Sequence, residues 1–281
     1  LIAVIGASGR SGAALCRALR DRGRRFVPVV RNAAHWIATG ITAEGVFADI
    51  EDARALRAAL AGAAVVVNTA HARHAAAVLA AAPAGARFVF LGSTRRFSRW
   101  PDGHGDGGRA GEAAFLGAGR PGVMLHPTMV YGAGGENNVQ RLAALLRRLP
   151  VAPLPDGGRA LVQPIHQDDL SACILAAIDI AWTGPEALVV AGLAPLPYRD
   201  FLALVARAAG FRPPRVVAVP AGPLRALAPL SRLLPLLPRI DADEIRRLGE
   251  DKAFDVTAMR ERLGVVGRPL ADGLAQTFGG A

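Results

Sequence analysis

The residues whose types and spacing could do chemistry begin at Gly6-Ala7-Ser8-Gly9-Arg10-Ser11-Gly12. Glycines three apart let a backbone turn tightly and approach a pyrophosphate. A helix opening near Arg10 would aim its N–H groups and positive dipole end at the phosphates. Gly6, Gly9 and Gly12, with Ser8, Arg10 and Ser11 between them, are therefore read as a dinucleotide cradle. Arg31 closes the apolar run Phe26-Val27-Pro28-Val29-Val30, where a ribose 2′ substituent would lie. An acid there would accept from a 2′-hydroxyl, whereas an arginine pairs with a 2′-phosphate. With Arg10 as a second cation, the reading favours NADP over NAD. Asp49, followed by Ile50, could accept from an adenine amino group or cap the next helix. Thr69, Ala70 and His71 follow the run Val65-Val66-Val67, Ser93 and Thr94 follow Phe88-Val89-Phe90-Leu91, and His126 and Pro127 follow Gly122-Val123-Met124-Leu125. Such strand ends border the crevice in which a nucleotide lies. Ser93 and His126 are the candidates for catalytic groups, and no metal is expected.

These positions need elements to hold them. Five apolar runs between Leu1 and Leu91 alternate with helical stretches, the pattern of a parallel sheet covered on both faces. The fold class that follows is α/β, a Rossmann-type doubly wound parallel sheet with a smaller C-terminal α/β substrate lobe. The boundaries read as 1–135 for the nucleotide-binding core and 136–281 for the substrate or lid lobe, with 160–192 contributing to the core or the junction. An Ala-rich helix over 72–82 could pair subunits in a homodimer. Residues 95–108 read as a polar, glycine-rich loop over the crevice, and a short helix containing Glu112 follows. Asn137 to Leu149 reads as helical, with Pro150 stopping it. Short strands around 160–165 precede a helix from Asp168 to Trp182, with Asp168 as its cap, and further strands fall at 188–190 and 216–219. The segment 222–239 carries Arg225, Arg232 and Arg239 seven apart among leucines and prolines. It reads either as a proline-broken helical lid or as an amphipathic element that touches a membrane surface.

Composition narrows the partners. Of 281 residues, 33 are basic and 23 acidic, a net charge of +10, and 52% are hydrophobic, which excludes a disordered chain. The basic surplus points to an anionic partner. Aromatics are only 5% and scattered, against a nucleic-acid surface with stacking side chains. The charge is assigned to nucleotide phosphates together with a sequence drift toward Arg, Ala, Gly and Pro. Cys16 and Cys173 both fall in apolar helical stretches, so buried reduced thiols and a cytoplasmic setting are expected. Eighteen consecutive apolar residues, enough to span a membrane, do not occur.

In the order and spacing of these motifs the chain resembles the extended and atypical short-chain dehydrogenase/reductase superfamily, in particular NAD(P)-dependent epimerase/dehydratase-like proteins. The carriers are the Gly6-Gly9-Gly12 loop, Asp49, Asn68-Thr69-Ala70, Ser93, Pro127 to Gly132 ending in Val-Tyr-Gly, Gln163-Pro164-Ile165-His166 before Asp168-Asp169, and Phe254-Asp255-Val256 ahead of Leu263-Gly264. The resemblance implies a nucleotide-binding core, bound NAD(P), and a small substrate lobe. It also implies a Tyr-x-x-x-Lys pair, in which the lysine lowers the tyrosine pKa so that the phenolate can exchange a proton with substrate. Here the only tyrosines are Tyr131 and Tyr198 and the only lysine is Lys252, so the pair is missing. The helix where it belongs offers Arg109 and Glu112, while Ser93 stands at the family's catalytic serine. Sugar-nucleotide contacts are thin as well: His126, Met129 and Val162 replace an arginine, an asparagine and an arginine, with Arg159 close to the last.

Three functions stay open on these residues. One is an NADPH-dependent oxidoreductase acting on a small substrate without the Tyr/Lys pair, with His71, His126 and Ser93-Thr94 as proton sources. Another is a non-catalytic dinucleotide sensor or assembly factor with a protein partner, similar to NmrA-like proteins or to an accessory subunit of respiratory complex I. The third is a sugar-nucleotide epimerase or dehydratase. His166 is read as structural.

Overall fold

The computed structural model describes residues 1–100, 102–133, 138–227 and 242–279. Six strands appear in the order expected: β1 (Ile2–Ile5), β2 (Phe26–Val30), β3 (Val46–Phe47), β4 (Val65–Asn68), β5 (Arg87–Leu91) and β6 (Gly122–Pro127). A further strand, Pro185–Val190, pairs parallel with β6 and completes a seven-stranded sheet. From that strand the order runs β6, β5, β4, β1, β2, β3, with every neighbouring pair parallel. The strand order reverses beside β1, and in an open α/β sheet that is where a ligand crevice opens.

Each buried strand sends alternate residues to opposite faces, because the side-chain period of a strand is two. Ile2 and Val4 of β1 join Leu15, Leu19 and Ile174 in one core, while Ala3 and Ile5 join Leu56, Val78 and Phe115 in the other. Helix α1 (Arg10–Asp21) and the helix Gln167–Asp179 cover the first face. On the second lie α3 (Ala53–Ala59), α4 (Ala75–Ala81) and α5 (Gly103–Gly117); α2 (Ala33–Ile37) joins β2 to β3. Cys16 and Cys173 sit in the first core as free thiols, and burial pushes each up to about 12. A third cluster forms the lobe, where Tyr131, Val139, Leu154, Phe201, Val205 and Leu274 pack together. Its strands pair in twos, Val151–Pro155 with Arg215–Val219 and Leu161–Val162 with Leu196–Pro197. Among the described residues no helix is long and apolar enough to cross a membrane. The segment 222–239 lies outside the described residues from 228 onward.

Several expectations are corrected. Residues 95–108 are not one loop: a 3-10 turn spans Thr94–Phe97, and α5 begins at Gly103 and runs fifteen residues. Its glycines look like a loop because glycine costs about 1 kcal/mol relative to alanine in a helix. Packing explains why they are tolerated. A Cβ on Gly111 would stand 2.0 Å from the Ala72 carbonyl oxygen, so the helix approaches the chain after β4 only because side chains are absent. The 72–82 helix is a 3-10 turn, Ala72–His74, followed by α4. The helix expected over 168–182 runs Gln167–Asp179, and its cap is the His166 side chain, whose Nδ1 accepts from the Asp168 amide at 3.2 Å. Asp168 therefore lies inside the first turn, where its charge suits the helix dipole.

Two substitutions separate close packing from helix propensity. Gly111→Ala should lower unfolding stability by about 1–3 kcal/mol in urea melts, the usual cost of overpacking. Gly117→Ala, with nothing within 4 Å of the added Cβ, should leave stability unchanged or raise it by up to about 1 kcal/mol. Equal effects of the two changes would refute the close approach of α5.

Candidate functional site

At the end of β1 the Gly6 amide donates to the Val29 carbonyl at 3.1 Å, and the Gly9 amide donates to the Gly6 carbonyl at 2.9 Å. Gly6 has φ +75°, a left-handed conformation that side chains resist. A Cβ on Gly12 would stand 2.2 Å from the Gly6 carbonyl oxygen and 2.7 Å from Thr69 Oγ1. That hydroxyl is itself fixed, donating to the Ile5 carbonyl at 2.8 Å. Helix α1 opens after Gly9 with no side-chain cap and no acid in its first turn. Its N-terminus is therefore an anion site built from backbone, and these residues fit a pyrophosphate.

Beside this turn lies a cleft of about 310 Å³. Of the residues expected from sequence, Ser11, Thr69, Ala70, His71, Ser93 and Pro127 line it together. Ser11 Oγ donates to Gln167 Oε1 at 3.2 Å, which joins the turn to the helix Gln167–Asp179. Arg31, Asp49 and Ile50 are not part of the cleft; they follow β2 and β3 on the other side of β1. Arg31 and Asp49 are exposed. Asp49 Oδ1 accepts from the Glu51 amide at 3.0 Å, but the cap of α3 is Asp52, which accepts from the Arg54 and Ala55 amides. Of the two roles considered for Asp49, helix capping thus belongs to its neighbour.

Ser93 lies two residues past the end of β5 and caps the 3-10 turn Thr94–Phe97. Its Oγ accepts from the Arg95 amide at 3.2 Å, and its own amide donates to His126 Nδ1 at 3.2 Å. The hydroxyl proton of Ser93 remains to be offered to a ligand. His126 does not reach the cleft. It is 1% exposed, beneath the Gly92-Ser93 backbone, and its Nε2 lies 2.9 Å from Glu112 Oε2. Arg96 Nε lies 2.6 Å from the same carboxylate oxygen. Burial pushes His126 down to about 4, helped by the Arg96 charge, and burial raises the Glu112 carboxyl against the opposing pull of Arg96. His126 is thus a neutral positioning residue for Ser93, and the expectation of a catalytic His126 is corrected. Neither tyrosine replaces it. Tyr131 is 2% exposed in the lobe core, and burial raises both phenols. The Nζ of Lys252 donates to the Arg247 carbonyl.

Among the polar side chains of the cleft, sequence reading missed two, Arg96 and His104. Both lie within the stretch taken for a loop, where a lone arginine or histidine signals nothing until a 3-10 turn and a helix bring them to the wall. His71 was foreseen, but not its partner: His71 Nε2 lies 3.0 Å from His104 Nδ1. Among the described residues no cluster could hold a metal ion.

Comparison with known proteins agrees with this geometry. Residues 6–111 match a family model described as NAD(P)H-binding. A ceramide reductase of Caulobacter vibrioides is 30% identical over 192 residues, which cover 63% of this chain and 60% of that protein. The match therefore spans less than two thirds of the relative's length. Among solved structures, the NADPH-dependent quinone oxidoreductase of Escherichia coli in complex with NADPH has a TM-score of 0.77 at 20% identity, covering 99% of this chain and 100% of that one. A UDP-glucuronic acid 4-epimerase of Bacillus cereus, solved with UDP-glucuronic acid and NAD, has a TM-score of 0.73 at 15% identity, covering 99% and 98%.

The buried imidazole gives a direct check. The His126 Cε1–H resonance should stay at its neutral position from pH 8 down to about pH 5, since its native titration lies near 4. The unfolded ring takes up a proton near pH 6.5, so stability should fall as pH drops from about 6.5 toward 4. A native midpoint near 6.5 would show that the ring is solvated and does not support Ser93.

Proposed function

We propose that this chain, which carries an NAD(P)H-binding domain and has the fold of epimerase/dehydratase-like short-chain dehydrogenase/reductases, is an NADP(H)-dependent oxidoreductase that reduces a small apolar carbonyl compound. The observation that carries the reading is the cleft beside Ser93, continuous with the glycine turn through Ser11, Thr69 and Ala70. A bound nicotinamide nucleotide supplies two electrons and a hydrogen. The protein supplies binding, orientation and electrostatics. The α1 N-terminus would hold the pyrophosphate, the ends of β4 and β5 would wall the reacting end, and the Ser93 hydroxyl, kept in place by His126 and the Arg95 amide, would meet a carbonyl oxygen. The names of a ceramide reductase and a quinone oxidoreductase among the matches support a reductive role.

NADP is preferred over NAD on two grounds. Arg31 stands exposed at the end of β2 and Arg10 opens α1, and an arginine at such a strand end supports pairing with a 2′-phosphate. The following residue, Asn32, is engaged as the cap of α2, accepting from the His35 amide, so no acid competes at this strand end.

The sugar-nucleotide reading is weaker on specific residues. His126 is buried, and Arg159, the one arginine near Val162, is exposed and 3.7 Å from Asp156. A non-catalytic nucleotide sensor is the second reading, favoured by the burial of Tyr131 and by the place of Lys252 away from the cleft.

Arg31→Asp should raise the Kd for NADPH at least tenfold, equivalent to about 1.4 kcal/mol, and leave that for NADH within twofold in fluorescence titrations. Equal weakening of both would remove the NADP assignment. NADPH oxidation should follow addition of at least one ketone from a panel containing 2-decanone, cyclohexanone and acetophenone. Tight NADPH binding with no turnover across the panel would favour the sensor.

A further inference from the structure

Reduction of a carbonyl leaves negative charge on oxygen, and the side chains that must hold it are not fixed by the glycine turn. Six polar side chains line the cleft; Ser11 and Thr69 donate their hydroxyl protons to Gln167 Oε1 and the Ile5 carbonyl, which leaves Ser93, Arg96, His71 and His104. Arg96 is committed to the buried Glu112 at 2.6 Å. Ser93 offers one hydroxyl proton. The remaining groups are the two imidazoles.

We propose that His104 is a catalytic residue of this site, its Nε2–H donating to the substrate carbonyl oxygen together with the Ser93 hydroxyl, and that His71 is the positioning residue that fixes the His104 tautomer. The proposal rests on the reductase reading above. Its basis is a chain of hydrogen bonds that leaves one assignment for two neutral rings. The Arg73 amide donates to His71 Nδ1 at 3.1 Å, so neutral His71 carries its proton on Nε2. That proton points to His104 Nδ1 at 3.0 Å. His104 therefore accepts at Nδ1 and carries its own proton on Nε2. The rings meet edge to face, with centroids 4.4 Å apart and an interplanar angle of 89°. Their approach depends on a missing side chain: a Cβ on Gly107 would lie 3.0 Å from His71 Cε1.

Burial and the neighbouring cations both favour the neutral rings. Burial lowers both rings, and Arg95 and Arg73 lower His104 further, against Asp102, which raises it. Arg73 and His74 act on His71 in the same downward direction. A neutral imidazole N–H is a competent electrophile toward a developing oxyanion.

Spacing supplies an independent argument. His104 and Gly108 both border the cleft and lie four residues apart on α5, on one face of the helix. This is the spacing of the Tyr-x-x-x-Lys pair that relatives place on this helix. A phenol needs the lysine to bring its titration toward neutrality, whereas an imidazole does not. If His104 stands in the place of that tyrosine and Gly108 in the place of that lysine, the two changes are one chemical exchange. A Cβ on Gly108 meets nothing within 4 Å, so a side chain can start there without moving its neighbours.

In the reaction the carbonyl carbon takes a hydrogen with its electron pair from the reduced nicotinamide nucleotide, and the C=O π pair moves to oxygen. His104 Nε2–H and the Ser93 hydroxyl hold that oxygen until it takes a proton from bulk water, and one ketone, one NADPH and one proton give one alcohol and one NADP⁺.

The test uses the full chain and the ketone panel of 2-decanone, cyclohexanone and acetophenone. His104→Phe should lower kcat about 10²–10³-fold, the usual loss of one oxyanion donor, with the Kd for NADPH within twofold and Tm unchanged. His104→Tyr combined with Gly108→Lys should recover at least tenfold over His104→Phe. In ¹⁵N-histidine spectra at pH 7.5 His104 should show the Nε2–H tautomer, and His71→Phe should abolish that bias. Wild-type turnover with an equally active His104→Phe would overturn the proposal alone, as would an Nδ1–H tautomer for His104. Absence of wild-type turnover despite NADPH binding would overturn the reductase reading and the proposal with it.

Discussion

The structure depends on one close approach, that of the α1 N-terminus to the ends of β1 and β4. With a Cβ at Gly12 only 2.2 Å from the Gly6 carbonyl and 2.7 Å from Thr69 Oγ1, the helix can start there only on bare backbone. The same contact places Ser11 beside Thr69 and Ala70, so the glycine turn and the cleft beside Ser93 are parts of one corner. Relaxing that corner would separate the anion site from Ser93.

Segments remote in sequence are joined by buried polar groups with most of their hydrogen-bonding capacity used. Gln163 Nε2 donates to the Gly192 carbonyl and its Oε1 accepts from the Phe254 amide, both at 2.8 Å. Its backbone carbonyl accepts from Thr128 Oγ1 at 2.5 Å. Asp169 accepts from the Arg268 amide at 2.9 Å and from its guanidinium, which ties the C-terminal helix Leu270–Phe278 to the helix beneath the sheet. Glu250 accepts from Ser98 Oγ and the Arg99 amide, each at 2.8 Å, and so anchors the chain just after the Arg96 turn. Removing one partner from such buried sets leaves a desolvated polar group, which costs about 1–3 kcal/mol.

Much of this was legible in the residues and part was not. The sheet was readable because its strands are apolar on both faces, and the glycine turn because only small residues at that spacing permit the approach. Gln163 and Phe254-Asp255-Val256 were noticed as separate motifs, and one hydrogen bond between them explains why they occur together. The edge strand Val46–Phe47 was found although exposed. Only the part of α5 around Glu112 was found; its first turns were taken for a loop, since five of its first nine residues are glycine and their reason for being helical lies in contacts with residues 71–73, remote in sequence. His104 was hidden for the same reason. His126 was misassigned because a histidine at a strand end looks alike whether it faces the crevice or lies beneath its floor, and only the burial of its ring decides.

The central claim is that a nicotinamide nucleotide lies across the α1 N-terminus with its reacting end in the cleft beside Ser93. A crystal structure of the protein with NADP⁺ tests it most directly. The account requires the pyrophosphate over residues 6–12 and the nicotinamide ring against Ser93 and the end of β4. A nucleotide bound elsewhere, or a nicotinamide turned out of that cleft in an otherwise ordered complex, would contradict it.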